Sequence, residues 1–467
     1  MKKLFLLMFS MLCGFSLLSV TAFSQSDPGV RGGSPGAGGP LVGLNSNEVA
    51  FFNGALARFQ EIDSVSGTLT GGSGLGPRFN ADGCVTCHVQ PAPGGTSPAT
   101  TNPQVALATR FGARNTVPSF IFNGGPVREA RFILQTDANG NLVNSPDGGV
   151  HDLYVISGRS DATNQPNPDG TRITCNISQP NFAQQLSNGN VIFRIPTPVY
   201  GAGLVENIPD SVLQADALSN GNQGAAPPLF NRSGNDGTIT RFGWKAQNKS
   251  MVIFVGEAYN VEQGVTNELF PNEREENTNC QFNTLPEDHT AIGTTNPQSS
   301  PSGQPGLDFG SDVEAFASFA RLSEPPHQNT GSTFAMQQSV ARGQQDFIAI
   351  GCATCHVQSH RVGFSQFTGQ SHRVIQPWSD FGTHLMGDGL YDGVQQGIVG
   401  TEHFRTAPLW GLGQRVFFLH DGSCRDLLCA IEAHESNNSE ATQIEINFDQ
   451  LLTPSQQQDV LNFLRSL

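Results

Sequence analysis

The chain has 467 residues, with 25 Lys and Arg against 40 Asp and Glu, a formal net charge of −15 at pH 7. That balance argues against nucleic acid and against an anionic membrane surface as partners, since both are met with basic residues. Charged residues make up only 14%, while there are 53 Gly and 29 Pro, a composition that predicts long irregular segments wrapped around cofactors.

The first residues read as an export signal. Lys2 and Lys3 precede an almost wholly apolar stretch from Leu4 to Val20, and Ala22-Phe23-Ser24 offers small residues at a cleavage site. Cys13 lies inside that stretch and leaves with it. Residues 1–24 are therefore expected to be removed, and the protein to work in the periplasm or outside the cell. No other stretch is long enough to span a bilayer, so stable membrane insertion is not expected. About 440 residues remain, enough for two or three domains.

Residues 25–45 are rich in Gly, Pro and Ser and read as a flexible leader. Asn45-Ser46-Asn47 then predicts a capped helix from Val49 to Ile62, with Phe51, Phe52, Leu56 and Phe59 on one face. The run from Gly71 to Gly76 lacks the lysine and the strand–loop–helix setting of a phosphate loop, and reads as close backbone packing.

Next comes the first of two near-identical hexapeptides, Gly83-Cys84-Val85-Thr86-Cys87-His88. The second is Gly351-Cys352-Ala353-Thr354-Cys355-His356. Cys-x-x-Cys-His is the attachment box of c-type haem. Two thiols two residues apart can add to the two vinyl groups of one porphyrin, and the adjacent imidazole then reaches the iron. A thioredoxin-like site does not need the histidine, and a zinc ribbon needs its thiol pairs close together in sequence. Two boxes predict two covalently bound haem c groups, at Cys84, Cys87 and His88 and at Cys352, Cys355 and His356. The abundance of Phe over Tyr, 32 to 4, suits apolar haem pockets and core packing equally.

The stretch from about 100 to 310 is turn-rich, with short extended segments expected at 191–195, 239–244 and 251–255. Asp137 to Asn141 hints at a calcium loop, but the sixth position is Leu142 rather than glycine, so calcium is possible but unsupported. Residues 277–310 read as a polar surface loop. Helices are predicted over Asp312–Leu322, capped by Ser311, over Ser339–Ile350 into the second box, and from Pro454 to Leu467. Helix, box, variable loops and closing helix thus occur twice. The duplication predicts a mainly α fold with many long loops, built as two cytochrome c-like haem domains. These are residues 46–325, with a large insertion, and 326–467.

Four cysteines lie outside the boxes and the signal: Cys175, Cys280, Cys424 and Cys429. An even number in an oxidising compartment predicts disulfides. Three pairings are possible, and the closeness of Cys424 to Cys429 favours Cys424–Cys429 with Cys175–Cys280.

A strong ligand opposite the box histidine makes an electron-transfer haem, and an open face makes one that can bind a small oxidant. Around the second box the candidates are His360, His372, His384, Met386, His403, His420 and His434. Met386 is favoured, because a glycine follows it and a thioether raises the potential. Between the first box and residue 310 the only such residues are His151, His289 and Met251, which suggests a weakly ligated iron. Arg194, Tyr200 and Glu206 form a polar set there, with Glu206 a weak candidate for acid–base work. Trp378 and Trp410 are candidate charge relays.

Several motifs carry a family resemblance from about Phe51 to the C-terminus. They are Gly74-Leu-Gly-Pro-Arg-Phe-Asn80, Tyr200-Gly-Ala-Gly-Leu-Val-Glu-Asn-Ile-Pro209, Arg241-Phe-Gly-Trp-Lys-Ala246, Phe404-Arg-Thr-Ala-Pro-Leu-Trp-Gly-Leu-Gly413 and Phe418-Leu-His-Asp-Gly422. Together they resemble the di-haem oxidoreductase family, also labelled peroxidase or thiol oxidoreductase, which is similar to bacterial di-haem cytochrome c peroxidases. The resemblance implies an electron-transfer haem feeding a second that reduces hydrogen peroxide or another small oxidant, with a small redox protein as electron donor. It also supports Met386, although the family's usual His-Asp-Met-Gly is His384-Leu385-Met386-Gly387 here. Thiols are unusual in the family at Cys424 and Cys429, which favours a local bridge. The competing expectations are an electron carrier without substrate and an oxygenase acting on an organic or protein substrate.

Overall fold

The computed structural model describes residues 25–67, 72–136, 142–144, 149–162, 176–221, 224–234, 236–274, 280, 286–290 and 310–467. The signal segment, the Asp137–Asn141 loop, Cys175 and most of 277–310 lie outside these residues. Among the described residues there are twelve α-helices, connected by long irregular segments, and five small antiparallel sheets of two or three strands. None of these helices is long and apolar enough to cross a membrane.

The first helix, Ser46–Phe59, starts on a reciprocal cap. The Asn45 side chain accepts from the Asn47 and Glu48 N–H groups, and Glu48 accepts from the Asn45 N–H. It stops at Phe59, short of the expected Ile62. Its apolar face lies on the Asp312–Leu322 helix, where Phe59 meets Phe319 at 4.4 Å and Phe316 at 6.3 Å between ring centroids. Arg58, also buried in this contact, pairs with Asp312 and Glu61.

One element differs in kind from the expectation. Residues 251–255, expected to be extended, open the Met251–Gln263 helix. Ser250 Oγ accepts from the Ile253 N–H, Glu206 accepts from the Met251 N–H at 3.0 Å, and Gly264 closes the helix at φ 68°. The run Met-Val-Ile-Phe-Val favours a strand locally. Capping at both ends and burial of Val255 and Tyr259 against the Asp312–Leu322 helix decide otherwise. The expected strand at 191–195 is present as Val191–Arg194, paired with Glu129–Phe132 in a three-stranded sheet. Residues 239–244 form only an isolated bridge, Phe242 to Asn248.

Towards the C-terminus the helix before the second box, Phe334–Ala349, begins before the expected Ser339 because Thr333 caps it. It packs on the closing helix, Pro454–Ser466, which carries a Thr453–Gln456 capping box. Helix before box against helix after box is therefore the arrangement at both ends of the chain. Residues 25–45 contain no helix, yet they are held at several points. Asp27 pairs with Arg465 at 2.6 Å, and the Leu41 N–H donates to Leu322 O at 2.8 Å. The Cys424–Cys429 disulfide is formed, and Cys280 is disulfide-bonded as well.

Gly343 sits mid-helix where the two C-terminal helices touch, and a Cβ there would overlap the Asp459 carbonyl. A glycine-to-alanine change inside a helix normally stabilises by roughly 0.5–1 kcal/mol. Here overpacking opposes that gain, so Gly343→Ala should destabilise by about 1–3 kcal/mol. Urea unfolding reads the sign, and an unchanged or higher midpoint would contradict this packing.

Candidate functional site: two clefts with a shared wall

Each box lines its own cleft. Cys84, Cys87 and His88 face an open space of about 1200 Å³, and Cys352, Cys355 and His356 face one of about 1390 Å³. These four are free cysteines. Each box histidine is oriented by a backbone carbonyl: His88 Nδ1 lies 3.0 Å from Gly95 O, and His356 Nδ1 lies 3.0 Å from Trp378 O. A carbonyl only accepts, so Nδ1 carries the hydrogen and Nε2 keeps its lone pair. Gly95 is required for the first contact, because a Cβ there would strike the Gln90 carbonyl and the Tyr200 hydroxyl. Burial lowers both imidazoles to a pKa of about 4, which keeps them neutral.

The chemistry of the walls fits a porphyrin with propionates. Burial raises the Cys84 thiol and pushes Cys352 up to about 12, the opposite of the lowered values of redox-active Cys-x-x-Cys sites. Among the described residues no group of three or more His, Cys, Asp or Glu is placed to hold a metal ion by itself. Cationic groups face the same spaces. Arg128 and Arg194 line the first cleft with Nε atoms that find no partner. Arg405 and Arg415 line the second, and burial lowers both to about 10, with mutual repulsion adding to the effect at Arg405. Buried guanidinium groups of this kind call for carboxylates.

The clefts differ in what else they contain. The first is lined by Glu129 and Arg131 from a strand, Glu257 and Glu262 from the Met251–Gln263 helix, and Arg194. Glu129 and Glu262 share a hydrogen bond. Burial, then repulsion from Glu129, raises Glu262 well above the usual carboxyl range. Glu129 stays ionised beside Arg131 despite its burial. His88 is the sole histidine of this wall. The second cleft is richer in ligands: His384, Met386, His420 and His434 all line it.

Trp244 belongs to both walls and to the small cavity between them. Its indole N–H donates to Ile195 O at 3.0 Å. Next to it, the fully buried Lys245 pairs with Asp392 at 3.0 Å, and Arg194 pairs with the same carboxylate at 2.9 Å.

The other residues singled out from sequence are placed elsewhere. Glu206 holds Arg321 and the start of the Met251–Gln263 helix and does not line the first cleft, whose carboxyl groups are those of Glu129, Glu257 and Glu262. Reading 251–255 as extended hid those last two. Tyr200 braces the loop after the first box through Ala92. His151 stacks on Phe132, His289 contacts Pro286 O at the surface, and Met251 is buried outside the first cleft. His360 is held by Asp216 and Ser379 O. His372 is exposed, and His403 sits in a strand pair with Leu385; neither lines the second cleft. Trp378 packs edge-on against Phe347 and Phe463, and Trp410 packs against Gly201. Trp244 is the tryptophan that joins the clefts.

The Glu262 pair gives a pH dependence. Its carboxyl titrates near 4.5 when unfolded and well above that when folded. The folded chain therefore binds the extra proton, and this contribution to stability falls as pH rises above 4.5. Glu262→Gln, which mimics the protonated form, should flatten that part of the profile. Urea midpoints between pH 5 and 8 that decline equally in both proteins would exclude the assignment.

No curated protein matches the chain. Among solved structures, the hydrazine synthase of Kuenenia stuttgartiensis aligns at 19% identity and a TM-score of 0.23, over 35% of this chain and 59% of that one. A MauG-like protein associated with microbial copper homeostasis aligns at 20% identity and a TM-score of 0.24, over 36% of this chain and 55% of that one. In both cases the match spans less than two thirds of the other chain. A family model described as "Di-haem oxidoreductase, putative peroxidase" matches residues 155–467, well over half of the sequence. The chain belongs to the di-haem oxidoreductase family.

Proposed function

We propose that the protein is an exported di-haem c oxidoreductase that reduces hydrogen peroxide with electrons from a small redox protein. The observation that carries this reading is the asymmetry of the clefts. One offers a single histidine with carboxyl groups and guanidinium groups around it, and the other offers several further ligands. Haem would be attached through Cys84 and Cys87, with His88 on the iron, and through Cys352 and Cys355, with His356 on the iron. The two helix-paired units, 46–325 with its insertion and 326–467, would be cytochrome c-like domains. Removal of residues 1–24 would release the protein to the periplasm or the exterior.

Haem supplies the redox-active iron, and the protein supplies placement and protons. Hydrogen peroxide takes up two electrons and two protons to give two waters. Glu262 holds a proton at the first cleft, and Glu257, also raised by burial, stands on the same helix as a second donor. Arg131 and Arg194 favour the charge that develops as the O–O bond breaks. In the second cleft the histidine side is set by His356, while Met386 and His434 line the same space. Trp244, common to both walls, replaces Trp378 and Trp410 as the relay.

Intact mass of the mature chain from a host that assembles cytochromes c should show two added haems, and Cys352→Ser with Cys355→Ser should show one. Under anaerobic conditions peroxide should perturb the absorption of a single haem. Trp244→Phe should slow electron equilibration between the haems on the order of tenfold, equivalent to about 1.4 kcal/mol of barrier. Two six-coordinate haems inert to peroxide and to cyanide would leave only an electron carrier.

A further inference from the structure

Resting on the di-haem reading, we propose that His434, rather than Met386, binds the second haem iron on the face opposite His356. His434 lines the cleft that holds Cys352, Cys355 and His356. Its Nδ1 lies 2.8 Å from Ala430 O. The carbonyl can only accept, so Nδ1 carries the hydrogen and Nε2 keeps a lone pair that meets no protein partner. This is the arrangement of the two box histidines, tied at 3.0 Å to Gly95 O and Trp378 O. An imidazole whose second nitrogen is tethered to a carbonyl is the usual form of a histidine on a metal.

The other histidines of the cleft lack that form. His384 has Nδ1 2.9 Å from Glu440 and Nε2 2.9 Å from Asp380, so both nitrogens are engaged by carboxylates. His420 lies flat on Phe404 with its centroid 4.4 Å away, and no hydrogen bond fixes its tautomer.

Met386 is placed as a packing residue. It joins the apolar cluster of Ile195, Trp244, Phe404 and Phe417, on the side of the shared wall. The residues just before His434, Leu427 to Ile431, belong instead to the cluster that Cys352 and Ala353 of the second box also join. The segment carrying His434 is also rigidly held. The Cys424–Cys429 disulfide and the Asp426 cap fix the short Leu427–Glu432 helix, and Ser439 Oγ donates to His434 O at 2.7 Å. A ligand on so constrained a segment stays at the iron without reorganisation. Two imidazoles also set a lower potential than an imidazole and a thioether.

The test uses the full-length haem-loaded protein, after intact mass has confirmed two haems in every variant. Electron paramagnetic resonance and near-infrared spectra of the wild type should show low-spin bis-histidine ligation and no thioether-to-iron band. His434→Ala should turn that haem high-spin and let it bind cyanide, and added imidazole should restore the low-spin signal. His434→Met should raise its potential, and Met386→Leu should leave both spectra unchanged. A thioether band in the wild type, lost in Met386→Leu, would overturn the assignment, as would a low-spin His434→Ala. Absence of haem from the wild type would instead defeat the di-haem reading on which the assignment rests.

Discussion

The carboxylate of Asp392 holds the molecule together between its two clefts. It is completely buried and bound by two cations, Arg194 at 2.9 Å and Lys245 at 3.0 Å. Arg194 comes from the strand that lines the first cleft, and Lys245 follows the tryptophan common to both. Lys245 also donates to Gly400 O and Thr401 O, and lies 3.9 Å from the centre of the Phe404 ring, in the second cleft's wall. Burying charges costs several kcal/mol each, and the cost is offset only when every partner is in place. Removing one partner leaves an unpaired buried charge, worth roughly 3–5 kcal/mol. The position of Trp244 is therefore set by electrostatics on one side and by its own hydrogen bond to Ile195 O on the other.

The same economy of charge separates structural from chemical groups. Arg159 and Asp161 are joined by two hydrogen bonds, and Arg58 is consumed by Asp312 and Glu61. These pairs stiffen the interior. The groups around the clefts are left open: a proton held on Glu262, imidazole nitrogens with free lone pairs. Such incomplete bonding in a buried setting is costly, and it marks where a cofactor and its substrate complete the structure.

Much of the fold was legible in local signals. Asn45 and Ser311 each announce a helix start, and the caps form where the side chains imply. The near neighbours Cys424 and Cys429 pair as their spacing suggests. The Met251–Gln263 helix was not legible, because a β-branched and aromatic run outweighed the Ser250 cap when read alone. That one misreading concealed Glu257 and Glu262, which reach the first cleft only from a helix. Glu206 attracted attention by its motif, but its carboxylate is spent on Arg321 and a helix N-terminus.

By itself the sequence carried the two Cys-x-x-Cys-His boxes and the expectation of a cofactor at each. Cys-x-x-Cys-His acts over five residues, and a spacing that short survives any packing of the rest. Tertiary structure alone decided which groups share a cleft. Glu129 and Glu262, or Trp244 and Phe404, stand more than a hundred residues apart, and their meeting depends on burial and ion pairing across the whole chain. It also decided which histidines keep a free lone pair, since that follows from a single backbone carbonyl within hydrogen-bond reach.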